Sequence, residues 1–265
     1  MKKTKIILVH DGTFHLDELL SIALIKYFYS INPKIIRTRD NSLIEFTLNT
    51  EKDSVVLDVG LKLDYKRRFD HHQSIELPAA CMLIWNHIKE DLNLTTFIKL
   101  EEFIEEASLA DTGQRMPSKF SISSIILGYN NFKNPNKNFK KALTIIEDIV
   151  KNIVKEDKEV NKMNQVLKEA KYHCKGKVIE LPKFMSTWKS KLNGLDTPGI
   201  EHAIWIDSEN QHIIQVLPKN DNTFKMHGKE LIECNKADFI HKRRNFAAFT
   251  KKTDLITYIN RLHRA

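Results

Sequence analysis

The sequence has little cysteine and no long apolar segment. Its three cysteines, Cys81, Cys174 and Cys234, are odd in number and far apart, which argues against a disulfide framework and against a thiolate zinc site. No stretch is long enough to span a bilayer, so we expect no membrane association. The basic start, Met1–Lys5, precedes an apolar run, Ile6–Val9, that is too short for a signal peptide. We therefore expect a cytoplasmic protein.

The sequence also lacks internal repeats and low-complexity tails. With 42% hydrophobic and 29% charged residues in 265 positions, it is typical of a globular protein with one large domain or two ordinary ones. Its formal net charge of +8 is compatible with a polyanionic partner such as nucleic acid, because attraction to phosphates is long-ranged. Lysine is spread along the whole chain, so charge alone does not distinguish a nucleic-acid-binding protein from a generally basic one.

Short apolar runs alternate with helical patterns in the first part of the chain. The runs Lys5–His10, Lys34–Thr38 and Ser54–Val59 predict strands, and apolar residues at helical spacing follow Asp17. The third run is mostly apolar, as in a parallel strand covered on both faces. This order predicts an α/β fold with a doubly wound, mostly parallel sheet, in which ligands bind beyond the carboxyl ends of the strands.

The second part of the chain has a different pattern. A long helical stretch, Phe139–His173, is followed by a predicted hairpin, Ala203–Asp207 with His212–Leu217, and by a closing helix, Thr253–His263. These patterns predict a long helix that leads into a smaller α+β domain. We therefore expect an N-terminal domain at residues 1–135, a connecting helix at 136–175 and a C-terminal domain at 176–265.

Histidine and acidic side chains follow the predicted strands. His10 ends the first strand, Asp58 lies near the end of the third, and Asp70-His71-His72 comes one short loop later. Because these groups mix imidazole and carboxylate without thiolate, they favour Mn²⁺ or Mg²⁺ over a structural zinc ion. They are too many for one ion, whereas two ions roughly 3.5–4 Å apart would use them well and suit phosphoester hydrolysis. The candidates are His10, His15, Asp17, Asp58, Asp70, His71, His72 and Asp111.

Each candidate has an ordinary explanation when it is taken alone. Asp17, next to Glu18, suits the first turn of a helix, where an acid stabilises the N-terminus. Asp58 suits a loop, and Asp111 suits the turn before Gly113. A shared metal site is favoured because the motifs fall together at the predicted carboxyl ends of strands.

Four motifs resemble those of the DHH phosphoesterase superfamily, which includes RecJ nucleases and family-II inorganic pyrophosphatases. In chain order they are His10…His15-x-Asp17, Asp58-Val59-Gly60, Asp70-His71-His72 and Ala110-Asp111-Thr112-Gly113. The chain is more similar still to the melanocyte-proliferating-gene exonuclease family, which shares the phrases at Arg37–Asp40 and Arg68–Gln73. The resemblance implies a DHH-like fold and a metal-dependent phosphodiesterase, with 3′–5′ exonuclease activity on RNA or short oligonucleotides.

The resemblance also implies a role for each residue. Asp17 and Asp58 would bridge two ions of Mn²⁺ or Mg²⁺, and Asp58, His71 and His72 would be the catalytic residues. Asp70 would act partly as a ligand and partly by orienting a histidine, and His72 would lie near the scissile phosphate. The implied metal ligands are His10, His15, Asp17, Asp58, Asp70, His71 and Asp111. His15 stands where related superfamily members carry an aspartate.

The chain departs from the family in its C-terminal part. The stretch Phe239–Phe249 lacks the glycines with which the corresponding phrase of the family would approach a substrate phosphate. We expect side-chain contacts there instead, with a solvated basic loop as the ordinary alternative. The expected substrate contacts are His72, His241, Lys242, Arg243 and Arg244.

Three functions are open from the sequence. The first is a phosphodiesterase that uses a two-metal-activated water, with residues 1–135 as the catalytic domain and 176–265 as the domain that binds RNA or a short oligonucleotide. The second keeps the metal site but is a phosphatase of small phosphoanhydrides or nucleotides. The third is a non-catalytic nucleic-acid-binding protein, against which the nearly complete ligand set argues, since clustered acids are costly without an ion. The oligomeric state is open, with a homodimer as one alternative.

Overall fold

A computed structural model of the chain describes residues 1–94, 97–130, 133–185, 188, 192, 199–217 and 228–264. The chain divides into two compact units, Met1–Asp157 and Lys158–Ala265. The division falls inside the longest helix, Pro135–Glu169, so this helix contributes residues to both units. The separate catalytic and substrate-binding roles expected for the two parts of the chain stay a prediction.

The first unit contains a parallel sheet with the strand order β2-β1-β3-β4. In its register, Leu8 of the first strand pairs with Ile36 of the second and Val56 of the third. The carboxyl ends of the strands therefore meet at one edge, where open α/β sheets bind ligands. The strands are β1 (Ile6–Val9), β2 (Lys34–Arg37), β3 (Ser54–Leu57) and β4 (Arg68–Phe69). The helices are α1 (Leu16–Tyr29), α2 (Asn41–Thr50), α3 (Ala80–Leu92), α4 (Ile98–Asp111), α5 (Ile122–Leu127) and α6 (Pro135–Glu169).

Helix α1 lies in the core of this unit. Its residues Leu19 and Ile22 are fully buried, and the helix is apolar around most of its circumference, as a buried helix must be. Removing each such side chain from water contributes roughly 1.5–3 kcal/mol. At the start of the helix, the backbone N–H of His15 donates to the Glu18 carboxylate, 3.0 and 2.9 Å from its two oxygens. This capping contact fixes the acidic first turn of α1.

The second unit contains a mixed sheet with the strand order β5-β6-β7-β8-β10-β9. The pair β6–β7 is parallel, and the other described pairs are antiparallel. The end of α6 covers one face through Met163 and Leu167, and helix α7 (Lys252–Leu262) covers the other through Leu255 and Tyr258. The strands are β5 (Lys171–His173), β6 (Val178–Glu180), β7 (His202–Ile206), β8 (His212–Val216), β9 (Phe239–Ile240) and β10 (Phe246–Phe249).

The predicted fold class is confirmed, because a parallel sheet, a long helix and a mixed sheet follow one another along the chain. The predicted hairpin is confirmed as β7 and β8, which pair antiparallel. The helix expected at 136–175 is wrong at its C-terminal end, since α6 ends at Glu169 and Lys171–His173 form β5. Tyr172 of β5 pairs with Ile179 of β6, and this strand pairing overrides the helical pattern of the sequence. In the described part of the chain, no helix is long and apolar enough to cross a membrane.

Candidate metal centre

The histidines and acids that the motifs singled out in the first unit come together at the carboxyl edge of its sheet. His10 directly follows β1, Asp58 follows β3, and Asp70 follows β4. Helix α1 begins beside this edge, and α4 ends there with Asp111. Residues far apart in the sequence become neighbours because parallel strands all end on the same side of the sheet.

One group of potential ligands surrounds His71. Its Nε2 lies 3.1 Å from Oδ2 of Asp111, 3.3 Å from Oδ1 of Asp58 and 4.0 Å from Oδ2 of Asp17. Each of the four residues offers one ligand atom, and these atoms lie within 4.8 Å of one another. Three carboxylates and one imidazole form a donor set that suits a divalent cation such as Mn²⁺.

A second group shares Asp58 with the first and adds His10, His15 and Glu18, again with ligand atoms within 4.8 Å of one another. Nε2 of His10 lies 3.1 Å from Oε1 of Glu18 and 3.4 Å from Oδ2 of Asp58. Nδ1 of His10 donates to the backbone carbonyl of Asp11 at 2.9 Å, so in the neutral ring the lone pair is on Nε2, the nitrogen that faces Glu18 and Asp58. Metal-binding histidines are commonly fixed by such a carbonyl contact.

Glu18 belongs to this group, although it is not among the ligands that the motifs predict. Its carboxylate is fully buried, accepts from the backbone N–H of His15 and lies against the ring of His10. The sequence held a signal for it, since a glutamate three residues after the residue that precedes a helix is the acid of a capping box. That pattern does not predict that Glu18 is buried between two histidines.

Asp58 adopts a left-handed backbone conformation, with φ of 54°. Its N–H donates to the carbonyl of Phe69 in β4 at 3.0 Å. The left-handed conformation then turns the chain away from the sheet. A left-handed conformation costs an L-residue roughly 1–2 kcal/mol, and aspartate tolerates it better than most. The contacts of the surrounding sheet offset this conformational cost and fix the carboxylate where the two groups meet.

Asp17 lies in the first turn of α1, but its carboxylate binds a different helix. The backbone N–H of Ala80 donates to Oδ2 at 3.0 Å, and that of Cys81 donates to Oδ1 at 2.6 Å. These are the first N–H groups of α3, which have no partner inside their own helix. Asp17 therefore caps α3 while it contributes to the group around His71, and the simpler role of stabilising the start of α1 does not describe its contacts.

The charges of the cluster are strongly coupled. Burial lowers the pKa of His71, but the carboxylates of Asp111 and Asp58 raise it to about 10. Burial raises the pKa of Asp58, but the rings of His10 and His71 lower it to about 2. Burial, followed by repulsion from Asp58 and Asp111, holds the pKa of Asp17 well above its usual range. The site therefore stabilises positive charge at its centre, which is what a cation-binding site requires.

Asp70 lies outside both groups, in contact with His72. Nδ1 of His72 donates to Oδ1 of Asp70 at 2.8 Å, and the backbone N–H of Leu61 donates to Oδ2 at 2.6 Å. Both oxygens of this buried carboxylate are thus engaged. His72 itself is half exposed and lies close to Asp58, with 3.5 Å between Nδ1 and Oδ1. The structure thus gives Asp70 the position of a group that orients His72.

Two buried atoms support a metal-binding role for this cluster. Oδ1 of Asp58 and Nε2 of His71 lie 3.3 Å apart as an ion pair, but within the described part of the chain neither atom has a partner at hydrogen-bonding geometry. Buried polar atoms without partners are costly and call for an explanation such as a bound ion. Both atoms are ordinary ligand atoms for a divalent metal. The residues present therefore fit the metal that the motifs imply.

A cleft of ≈ 280 Å³ opens beside the two groups. His10, Asp58 and His72 line it on the side of the cluster, and Arg39 and Asn41 line it beyond the end of β2. Arg39 is more than half exposed and pairs with Asp11 at 3.3 Å, so its guanidinium is within reach of the cleft. Arg39 lies in one of the phrases shared with the family, but it is not among the site residues that the motifs predict.

The other expected substrate contacts lie in the second unit, in the turn between β9 and β10. Residues 241–244 are all exposed there, and the N–H of Arg244 donates to the carbonyl of His241 at 2.7 Å. Arg244 has a φ of 52° and pairs with Glu233 at 3.4 Å. The role of this basic turn, His241, Lys242, Arg243 and Arg244, in substrate binding stays a prediction.

Known proteins are similar to this chain in sequence. Residues 6–76 match the family model MYG1_exonuc, described as an uncharacterised protein family (UPF0160). A MYG1 protein of Dictyostelium discoideum is 32% identical over 181 residues, which are 53% of this chain and 53% of that protein. The MYG1 exonuclease of Homo sapiens is 24% identical over 271 residues, 82% of this chain and 70% of the human protein. The chain thus spans about half the length of the Dictyostelium relative.

Two solved structures are distantly similar. A pGpG-specific phosphodiesterase, PggH of Vibrio cholerae, is 11% identical with a TM-score of 0.37, covering 83% of this chain and 84% of that one. RecJ of Thermus thermophilus in complex with Mn²⁺ is 12% identical with a TM-score of 0.30, covering 99% of this chain and 52% of that one.

Proposed function

Because residues 6–76 match the MYG1_exonuc family model, described as an uncharacterised protein family (UPF0160), we propose that this chain is a divalent-metal-dependent phosphodiesterase of that family. Its substrates are RNA or short oligonucleotides, which it shortens as an exonuclease. The observation that supports this proposal most is Asp58, a buried carboxylate that belongs both to the group around His71 and to the group around His10. A carboxylate placed between two ions is the usual arrangement for phosphoryl transfer with two metals. The 3′–5′ direction follows from the resemblance of the motifs.

The two groups define the residues that would hold Mn²⁺ or Mg²⁺. One ion would be held by Asp17, Asp58, His71 and Asp111, and the other by His10, His15 and Asp58. When bound, the ions would polarise the phosphoryl oxygens and make an attacking water more acidic. Glu18 would position the ligands of the second ion, because its carboxylate fixes the backbone of His15 and lies against the ring of His10.

His72 is the proposed proton donor. Its Nδ1 is fixed by Asp70, and its half-exposed ring lines the cleft beside Asp58. A histidine in this position can give a proton to the leaving oxygen of a phosphodiester from its other ring nitrogen, Nε2. Asp70 holds the ring in orientation, since both of its oxygens are occupied by fixed N–H donors.

Arg39 is the proposed phosphate contact on the opposite side of the cleft. A guanidinium forms paired hydrogen bonds to phosphate oxygens, and the pairing of Arg39 with the exposed Asp11 is weak enough to exchange. The backbone of the substrate would thus lie between Arg39 and His72. The basic turn that contains Lys242 and Arg243 is proposed to bind the substrate further along.

The test is hydrolysis of an oligoribonucleotide labelled at its 5′ end, with Mn²⁺ and with EDTA. We expect shortening from the 3′ end that depends on the metal. Asp58→Ala should reduce the rate more than about 100-fold, because loss of even an outer partner of a metal ligand typically costs 10–100-fold. Asp53→Ala is the matched control, since Asp53 pairs with Lys5 on the surface and lies in neither group.

Two results would contradict the proposal. If the wild type with Mn²⁺ cleaves no oligonucleotide over a range of lengths, the proposed exonuclease activity is wrong. If pyrophosphate or mononucleotides are turned over instead, and Asp58→Ala abolishes that turnover, the metal centre is retained and the substrate is a small phosphate compound.

A further inference from the structure

A separate cluster of metal-ligating side chains lies in the second unit. Glu201, His202 and His263 each offer one ligand atom, and these atoms lie within 4.8 Å of one another. The three residues belong to none of the sequence motifs and to neither group around Asp58. We propose that they bind a zinc ion.

The two histidines already have the spacing of ligands on one ion. Nδ1 of His202 and Nε2 of His263 are 3.1 Å apart, and their rings are inclined at 78° with centroids 5.0 Å apart. Two nitrogens bound to one tetrahedral zinc are roughly 3.3–3.4 Å apart, given Zn–N distances of about 2.0–2.1 Å. Little movement would bring both rings onto an ion.

His202 is held in the tautomer that zinc needs. The residue is fully buried at the start of β7, and its Nε2 donates to the backbone carbonyl of Lys229 at 2.8 Å. Nδ1 therefore carries a lone pair that faces His263. A carbonyl that accepts from the second ring nitrogen is the usual outer partner of a histidine bound to metal.

Hydrogen bonding within the described residues leaves His263 incompletely satisfied. Its Nδ1 is buried and has no hydrogen-bond partner among them. If Nε2 carries the proton, Nδ1 is a buried acceptor without a donor. If Nδ1 carries it, a buried N–H lacks an acceptor and the lone pair of Nε2 faces that of His202. A cation that binds both facing lone pairs removes their repulsion in this second arrangement, while the N–H on Nδ1 still has no acceptor among the described residues.

Glu201 is fixed beside the histidines by the same segment that fixes His202. The N–H of Lys229 donates to Oε2 of Glu201 at 3.1 Å, and Lys177 pairs with Oε1 at 2.9 Å. A side chain at Gly228 would place its Cβ 2.1 Å from the backbone oxygen of Glu201, so only glycine allows this approach. A carboxylate has lone pairs enough to serve both the lysine and an ion.

The donor set selects the metal. Two imidazoles and one carboxylate form the His₂Glu combination of zinc sites that keep an open position, and imidazole disfavours Mg²⁺ and Ca²⁺. His202 begins β7 and His263 directly follows α7, so the ion would join the end of that helix to the sheet. Its fourth position would be open to water.

The test measures zinc bound to the full chain at buffered nanomolar free zinc, by plasma mass spectrometry. The centre in the first unit is first disabled by Asp58→Asn with Asp111→Asn, so that its own metals do not contribute. In this background we expect about one zinc ion per chain. His263→Ala and Glu201→Gln should each remove it. His212→Ala, in the same sheet but outside the cluster, should keep it.

The outcomes separate this site from the proposed exonuclease centre. Circular dichroism shows whether each variant folds. If His263→Ala does not fold, the zinc content of Glu201→Gln tests the proposal, because glutamine nearly preserves the shape of the side chain. Absence of zinc in the background protein overturns the proposal, as does zinc that persists in Glu201→Gln. Neither result changes the expected effect of Asp58→Ala on oligonucleotide cleavage.

Discussion

Asp70 and Glu18 illustrate how single acids in the first unit position the histidines of the candidate site. Asp70 accepts from the ring of His72 and from the backbone of Leu61, and Glu18 accepts from the backbone of His15. Neither contact depends on a metal. These acids therefore orient the histidines before a metal or a substrate binds, which reduces the cost of organising the site.

A prediction at this scale concerns Asp70→Asn. The amide cannot accept from both His72 and Leu61 as the carboxylate does, so the ring of His72 loses its fixed orientation. We expect the rate of oligonucleotide cleavage to fall about 10–100-fold with little change in metal binding. The measurement is a double-mutant cycle with His72→Ala, in which Asp70→Asn should cause almost no further loss once the ring is removed.

Asp53→Asn is the control for this cycle, because it changes an acid of the same unit that touches neither histidine. If the losses caused by Asp70→Asn and His72→Ala multiply in the double variant, Asp70 acts on something other than His72. If Asp70→Asn abolishes manganese binding, it is a ligand and not an orienting group.

The elements of the first unit are joined through the same acids. Asp17 belongs to α1 but accepts from the first two N–H groups of α3, so one carboxylate fixes two helices and contributes to the cluster around His71. Its high pKa reflects burial first and then repulsion by Asp58 and Asp111. Without a bound cation, the carboxylate of Asp17 therefore caps α3 although neighbouring carboxylates repel it.

The prediction at this scale separates hydrogen bonding from charge. Asp17→Ala leaves the N–H groups of Ala80 and Cys81 without a partner, whereas Asp17→Asn keeps one acceptor and removes the repulsion. We therefore expect the alanine variant to be less stable than the asparagine variant by about 1–2 kcal/mol. Urea unfolding in EDTA measures this difference. Equal stabilities would mean that the cap contributes nothing.

At the scale of the whole molecule, local patterns were enough for the framework but not for every contact. The runs Lys5–His10 and Ser54–Val59 predicted strands, and parallel pairing then placed their polar ends together. The C-terminal end of α6 was not predictable, because strand pairing with β6 overrides a helical pattern at Lys171–His173. Glu201 and His263 are far apart in the sequence, so only the sheet and α7 bring them together.

The roles of particular residues were predictable to different degrees. The order of the motifs predicted the members of the group around His71, of which Asp58 and His71 follow strands, Asp17 lies in the first turn of α1 and Asp111 ends α4. The outer contact of Asp17 with α3 was not predictable, since it depends on how two helices pack. The same is true of Glu18, whose burial against His10 results from packing of α1 onto the sheet.

The central claim is that the histidines and acids around Asp58 bind metal. Anomalous diffraction at the manganese edge, from crystals grown with stoichiometric Mn²⁺, tests it most directly. We predict two peaks on either side of the Asp58 carboxylate, roughly 3.5–4 Å apart, one beside His71 and one beside His10. Both should be absent from crystals of Asp58→Ala. Manganese bound elsewhere, or no peak within bonding distance of Asp58, would contradict the account.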